Sequence, residues 1–182
     1  MDVFYRKILD ACGRLNIKLT KHCIFASVGE QKLYLFTGGA LAAEMPISTS
    51  RNPPSCAEGS LGTPHGLHKI DGKIGDGEPM DTVFRGRVPC GRLGEQTPGE
   101  REKNLILGRI MRLRGLEDGV NSGTGPDGRC VDTYARYVYI HGTNQEHALG
   151  TPNSHGCLLV GAGDLLRLFG EVPDGSIVFI EK

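Results

Sequence analysis

YIHGTNQEHALGTPNSHGCLLV, residues 139–160, is the stretch on which the reading of this chain turns. It places His141 on a β-like run (Tyr137, Val138, Tyr139, Ile140). After a polar loop containing Gly and Pro, it sets His155 and Cys157 two residues apart around Gly156. A thiol near its ordinary pKa of about 8.5 is only partly ionised at neutral pH, so a cysteine that attacks a carbonyl needs an imidazole to take or balance its proton. Histidine titrates in the right range for that task. A glycine beside the nucleophile lets backbone come close to a substrate and aim N–H groups at a developing oxyanion. The segment therefore reads as a nucleophile, a base and an oxyanion hole.

The pairing of His141-Gly142-Thr143 with Ser154-His155-Gly156-Cys157 resembles the signature of the L,D-transpeptidase catalytic domain (YkuD-type) family. Gln31 to Thr49 (QKLYLFTGGALAAEMPIST) and Gly62-Thr63-Pro64-His65-Gly66 are similar to that family's strand-hairpin-strand and TPxG segments. The resemblance covers roughly His22 to Lys182 and implies a mainly β fold. It predicts a β-barrel or sandwich with a short N-terminal helix and a short helix after the cysteine. Residues 1–21 are then a helical segment packed on a catalytic domain of residues 22–182.

By the same resemblance, Cys157 is the nucleophile on peptidoglycan stem peptides, attacking the bond between the third residue, usually a diamino acid, and the D-alanine in fourth position. His141 is the base, oriented by the Gly142 carbonyl, and the Gly156 and Cys157 N–H groups are the candidate oxyanion donors. His155 completes the catalytic set. Ser154, Thr143 and Arg136 are candidates for substrate contact. For Ser154 shaping the turn is the alternative, and for Arg136 a surface ion pair. His147 reads as a solvated loop residue. One position departs from the family: Leu159, two after the cysteine, stands where relatives carry Arg or Asn.

The 182 residues suit one domain, and 21 Lys+Arg against 21 Asp+Glu give no net charge. Nothing electrostatic points to nucleic acid or an anionic membrane, and a monomer is expected. With 27 glycines and no tryptophan, the composition is that of a turn-rich β protein. Met1 to Leu15 carries Asp2, Arg6, Lys7 and Asp10 without an unbroken apolar core, so it does not read as a secretory signal. Phe4, Ile8, Cys12 and Leu15 recur at helical spacing instead. A cytoplasmic location follows as the expectation, and with it six reduced cysteines. No CxxC spacing occurs, so no zinc site and no cofactor is expected. The accessible substrates would then be free or sugar-linked tetrapeptides (muropeptides), with water as acyl acceptor.

Strands are predicted over 22–28 and 31–37, joined by a two-residue Gly29-Glu30 loop, and near 41–47 after the Gly38-Gly39 turn. Residues 50–64 read as a loop. Short strands follow at 67–70 and 83–88, separated by a Gly-rich turn at 72–77. Leu105 to Leu113 reads as a strand, because Leu105, Leu107, Met111 and Leu113 alternate onto one face and Gly108 weakens the alternative, a helix. The polar stretches 89–103 and 116–129 around it read as cleft lids or surface excursions. A helix over 164–169 closed by Gly170 and a strand over 176–180 complete the prediction.

Overall fold

The computed structural model describes residues 2–182. Helix α1 spans Val3–Arg14. It begins where the Asp2 carboxylate accepts the Phe4 N–H at 2.8 Å and the Tyr5 N–H at 3.2 Å, satisfying donors that the first helical turn leaves without partners. Three strands follow as a meander: β1 (His22–Ser27), β2 (Lys32–Thr37) and β3 (Ala40–Ser48). The β1–β2 connection is four residues long, 28–31, with Gln31 at φ 54°, where the sequence suggested two. Gly38 and Gly39 make the β2–β3 turn with φ 59° and 89°, a pair of left-handed conformations that only glycine adopts without strain.

After the 50–64 loop come β4 (Gly66–Ile74), β5 (Thr82–Arg85) and β6 (Val88–Arg92). The stretch 83–88 is thus two strands of a hairpin rather than one. Strand β4 also runs on through Gly72, where its register against β7 shifts. A short helix, α2 (Pro98–Arg101), leads into β7 (Ile106–Gly115). Gly108 resolves the ambiguity of that run: it is a bulge at φ 69°, beside the register shift between β7 and β8. An added Cβ there would meet the Met80 carbonyl oxygen at 2.9 Å. Strands β8 (Tyr139–Gly142) and β9 (Leu158–Val160), helix α3 (Ala162–Glu171) and strand β10 (Ile177–Glu181) complete the order. Helix α3 continues through Gly170 instead of ending on it.

The strands hydrogen-bond in the order β4-β10-β1-β2-β3-β9-β8-β7, and β4 pairs again with β7, so the sheet closes into a barrel. The β5–β6 hairpin hangs from β7. Alternation explains the uninterrupted apolar strands. Ile24, Leu33, Leu35, Val178 and Ile180 point into a core that α3 fills with Leu165, Leu168 and Phe169. The intervening Cys23, Phe25, Tyr34 and Phe36 point the other way, beneath Ile8, Ala11 and Cys12 of α1. Ile8 is completely buried, and its removal from water alone is worth about 2–3 kcal/mol. Leu15, assigned by spacing to the same stripe, lies past the helix end and is 36% exposed. Among the described residues no helix is long and apolar enough to cross a membrane.

Candidate active site

Strands β8 and β9 run parallel, with Ile140 opposite Leu158 and His141 opposite Leu159. Ile140, Leu158 and Val160 belong to the barrel core. By alternation Tyr139, His141, Cys157 and Leu159 share the opposite face. This pairing is what brings the histidine and the cysteine together across fifteen intervening residues. Both line one recess of about 140 Å³, whose walls include Asn104, Ile106, His155 and Leu159. A second recess of about 240 Å³ shares Cys157 and His155 and is bordered by Glu58, Leu61, Arg136 and Tyr137.

His141 is buried, and its Nδ1 lies 2.8 Å from the Gly142 carbonyl oxygen. A carbonyl only accepts, so Nδ1 carries the proton and Nε2 of the neutral ring is the free base. Burial pulls the imidazole down to about 4, and the bond to Gly142 only partly opposes this. Cys157 keeps some surface open to the cleft, yet the protein packed around its sulfur pushes the thiol up to about 11. The Tyr139 N–H, 3.4 Å from Sγ, and the Arg136 charge pull the other way. The resting pair is therefore a thiol and a neutral imidazole, not a preformed ion pair.

Gly142 is tightly fitted, since a Cβ on it would lie 2.6 Å from the Leu107 carbonyl oxygen. Gly156 stands at φ 129°, with its Cβ position 3.3 Å from the Gly62 carbonyl oxygen, so the 50–64 loop rests directly on the turn before the cysteine. The Ser154 hydroxyl, buried, builds that turn: it donates to the Cys157 carbonyl at 2.6 Å and accepts the Gly156 N–H at 3.1 Å. Ser154 thus shapes the turn, the alternative the sequence offered, and it also lines the smaller recess. With the Gly156 N–H also occupied, the Cys157 N–H is the remaining oxyanion donor candidate.

Thr143 is likewise committed. Its hydroxyl donates to Asn104 Oδ1 at 3.2 Å and accepts the Gln145 N–H at 3.0 Å, and it faces a separate recess with Met80 and Leu107, away from the thiol. Among the described residues Arg136 meets no carboxylate. It is half-buried and donates to the carbonyls of Ser55 at 3.0 Å and Gly62 at 2.8 Å, tying the 50–64 loop to the cleft. His155 is exposed where the two recesses meet, and His147 is exposed on a one-turn helix, Glu146–Ala148. Leu159, 1% exposed, gives the smaller recess an apolar wall.

The two flanking polar stretches differ. Residues 101–104 dock on the motif loop, through Asn144 Nδ2 to the Arg101 and Lys103 carbonyls and Asn104 Nδ2 to the Asn153 carbonyl at 2.9 Å, and Asn104 lines the cleft. Residues 116–129 pack elsewhere, where Glu117 accepts the Leu67 N–H. Nothing in the sequence marks Asn104, because a single amide beside an apolar run carries no spacing signal. All six cysteines are free. His68 is fully buried, bonded to Gly66 and Thr133, and burial holds it down to about 4. Among the described residues no cluster of three His, Cys, Asp or Glu could hold a metal.

Comparison with known proteins agrees with this arrangement. Residues 21–180 match the family described as YkuD, L,D-transpeptidase catalytic domain. A search of curated proteins returns no match. Among solved structures, an L,D-transpeptidase from Mycobacterium smegmatis is 14% identical and superposes with a TM-score of 0.54, covering 89% of this chain and 59% of that one. L,D-transpeptidase 3 from Mycobacterium tuberculosis, in complex with a faropenem-derived adduct, is 14% identical at a TM-score of 0.55, covering 89% of this chain and 60% of that one. A cysteine-to-serine mutant of the Enterococcus faecium L,D-transpeptidase is 16% identical at 0.52, covering 90% and 50%. This chain thus spans between half and three-fifths of those relatives, and at such identities the likeness is one of fold. With the family match running over nearly the whole barrel and its sequence signature gathered around one cleft, the chain belongs to the L,D-transpeptidase catalytic domain family.

Proposed function

We propose that this protein is a cysteine acyl-transfer enzyme acting on peptidoglycan stem peptides, and that its acyl acceptor is water, making it an L,D-carboxypeptidase that removes the terminal D-alanine of tetrapeptides. The observation that carries the reading is the shared recess of Cys157 and His141, with Nδ1 of the imidazole held on the Gly142 carbonyl so that Nε2 is the unprotonated nitrogen. As Sγ attacks the carbonyl that precedes D-alanine, its proton passes to Nε2, because neither group is ionised beforehand. The oxyanion is met by the Cys157 N–H. Collapse expels the D-alanine amine, which takes the proton back from His141 and leaves a thioester. Water, deprotonated by His141, then releases the tripeptide carboxylate and the free thiol.

The smaller recess supports water over a second peptide. Its volume of about 140 Å³, narrowed by Ile106 and Leu159, suits a leaving group the size of one small amino acid followed by water. Six unpaired cysteines favour a reducing compartment, and we extend the proposal to soluble, cytoplasmic tetrapeptides and muropeptides, where competing amines are dilute. Incubation with a defined tetrapeptide muropeptide, with products resolved by mass, tests this. Tripeptide plus free D-alanine is expected. Cross-linked dimers or exchanged D-amino acids would instead make it a transpeptidase, and no turnover at all would leave a peptide binder.

A further inference from the structure

Behind Tyr137, which lines the larger recess, arginines and tyrosines interleave. Tyr137 borders the recess beside Cys157, and the residue is 54% exposed. The Arg87 guanidinium lies 4.8 Å from the centroid of that ring and donates to the Tyr139 hydroxyl at 3.2 Å. Arg112 stacks 3.7 Å over Tyr134 and stands 6.0 Å from Tyr137, while Arg114 covers Tyr134 at 3.8 Å. Arg114 is neutralised by Asp71. Among the described residues Arg87 and Arg112 meet no carboxylate, and the Nε of Arg112 is buried without a partner. Against these two charges and that of Arg136, the recess itself contributes only Glu58.

Two features separate this ridge from an ordinary charged surface. Stacking on a ring face leaves the N–H edge of a guanidinium in its own plane: Arg87 spends one donor on the Tyr139 hydroxyl and Arg112 one on the Tyr134 hydroxyl at 2.7 Å, and the remaining Nη donors can meet a planar anion. Tyr137 also stands at φ 57°, a conformation costly for a bulky residue, and it is this turn that presents its ring at the cleft.

We propose that the Arg87–Tyr137–Arg112 ridge is a subsite for a carboxylate of an acidic donor peptide, holding the part of the chain that extends away from the bond attacked by Cys157. The assignment of a peptide rests on the function proposed above; the preference for an anion beside Cys157 does not. The ridge selects among substrates by charge. A stem peptide with a free carboxylate ahead of its third residue binds better than its amidated counterpart.

The test compares alkylation of Cys157 by iodoacetate, an anion, and iodoacetamide, its neutral analogue, at mildly alkaline pH with the modified peptide identified by mass. Both reagents need the thiolate, so their rate ratio cancels any change in thiol ionisation. Arg87→Gln and Arg112→Gln should each lower the iodoacetate-to-iodoacetamide ratio about threefold at low salt, an effect that high salt erases, as for one elementary charge across a wet cleft. Arg87→Lys should keep most of the ratio, and Arg6→Gln, exposed on α1, should not change it. In parallel, a tetrapeptide with a free second-residue carboxylate should protect wild-type Cys157 from iodoacetamide several-fold better than its amide, a difference lost in Arg87→Gln. A ratio in both glutamine variants equal to that of Arg6→Gln overturns the proposal, as does equal protection by acid and amide. A lowered ratio with no protection by either peptide upholds the anion subsite and refutes the peptide assignment.

Discussion

Ser154→Ala is the sharpest test of how the nucleophile is held. The hydroxyl is 2% exposed and bonds both ends of the turn around Cys157, accepting from the Gly156 N–H at 3.1 Å and donating to the Cys157 carbonyl at 2.6 Å. Alanine fits the same space but leaves one buried donor and one buried acceptor without that partner. Each such loss costs about 1–3 kcal/mol, so a total of about 2–4 kcal/mol is expected. With a urea m-value of about 2 kcal/mol/M, the unfolding midpoint should fall by about 1–2 M. Acylation should suffer beyond stability: Gly156 at φ 129° is no longer pinned, and the Cys157 N–H and Sγ lose their fixed relation. The assay pairs urea unfolding with the rate of Cys157 adduct formation by a carbapenem, followed by intact mass under folded conditions. A midpoint within about 0.3 M of wild type together with an unchanged adduct rate would show that the hydroxyl is not what organises the turn.

Other expectations follow from the same geometry. Cys157→Ala should abolish both adduct and turnover while unfolding at or near the wild-type midpoint; an adduct on one of the other five cysteines would refute the assignment. Because burial holds the thiol near 11, iodoacetamide alkylation of the free enzyme should keep rising through pH 9 and 10, and a plateau below pH 8 would reveal a preformed thiolate. His68 and His141 are both held down to about 4, below the unfolded value near 6.5. The folded state binds fewer protons in that window, so their contribution to stability is whole above pH 6.5 and is lost as pH falls towards 4. A urea midpoint flat from pH 7 to 4 would contradict that sign. Leu159→Asn replaces a buried wall of the smaller recess with a nearly isosteric amide; it should cost about 1–3 kcal/mol, leave the fold intact and change turnover, whereas unchanged turnover would make the apolar wall irrelevant to the chemistry.

How much of this was present in the chain as written depends on the range of each interaction. The meander, the Gly38-Gly39 turn and the α1 stripe of Ile8 and Cys12 were legible because period, turn chemistry and capping act over a few residues. The signature His141 and Ser154 to Cys157 was legible as a family resemblance, with the proposed nucleophile and base in it. Local spacing misjudged what depended on a partner strand. Residues 83–88 look like one strand until β6 folds back on β5, and Gly108 looks like a defect until its bulge meets Met80. Polar residues were harder still, since sequence shows that a hydroxyl or guanidinium exists but not whom it bonds. Ser154, Thr143 and Arg136 turned out to be committed to the protein's own backbone and side chains, while Asn104 reaches the cleft from a distant loop and Arg87 and Arg112 stack on Tyr137 and Tyr134 from other strands and turns. The sequence by itself determined most of the elements, the family and which thiol and imidazole stand in its signature. Only the closure of the barrel decided their relation, because the parallel pairing of β8 with β9 depends on a core made by Ile140, Leu158, Val160 and α3 together, and burial on that scaffold sets both proton affinities.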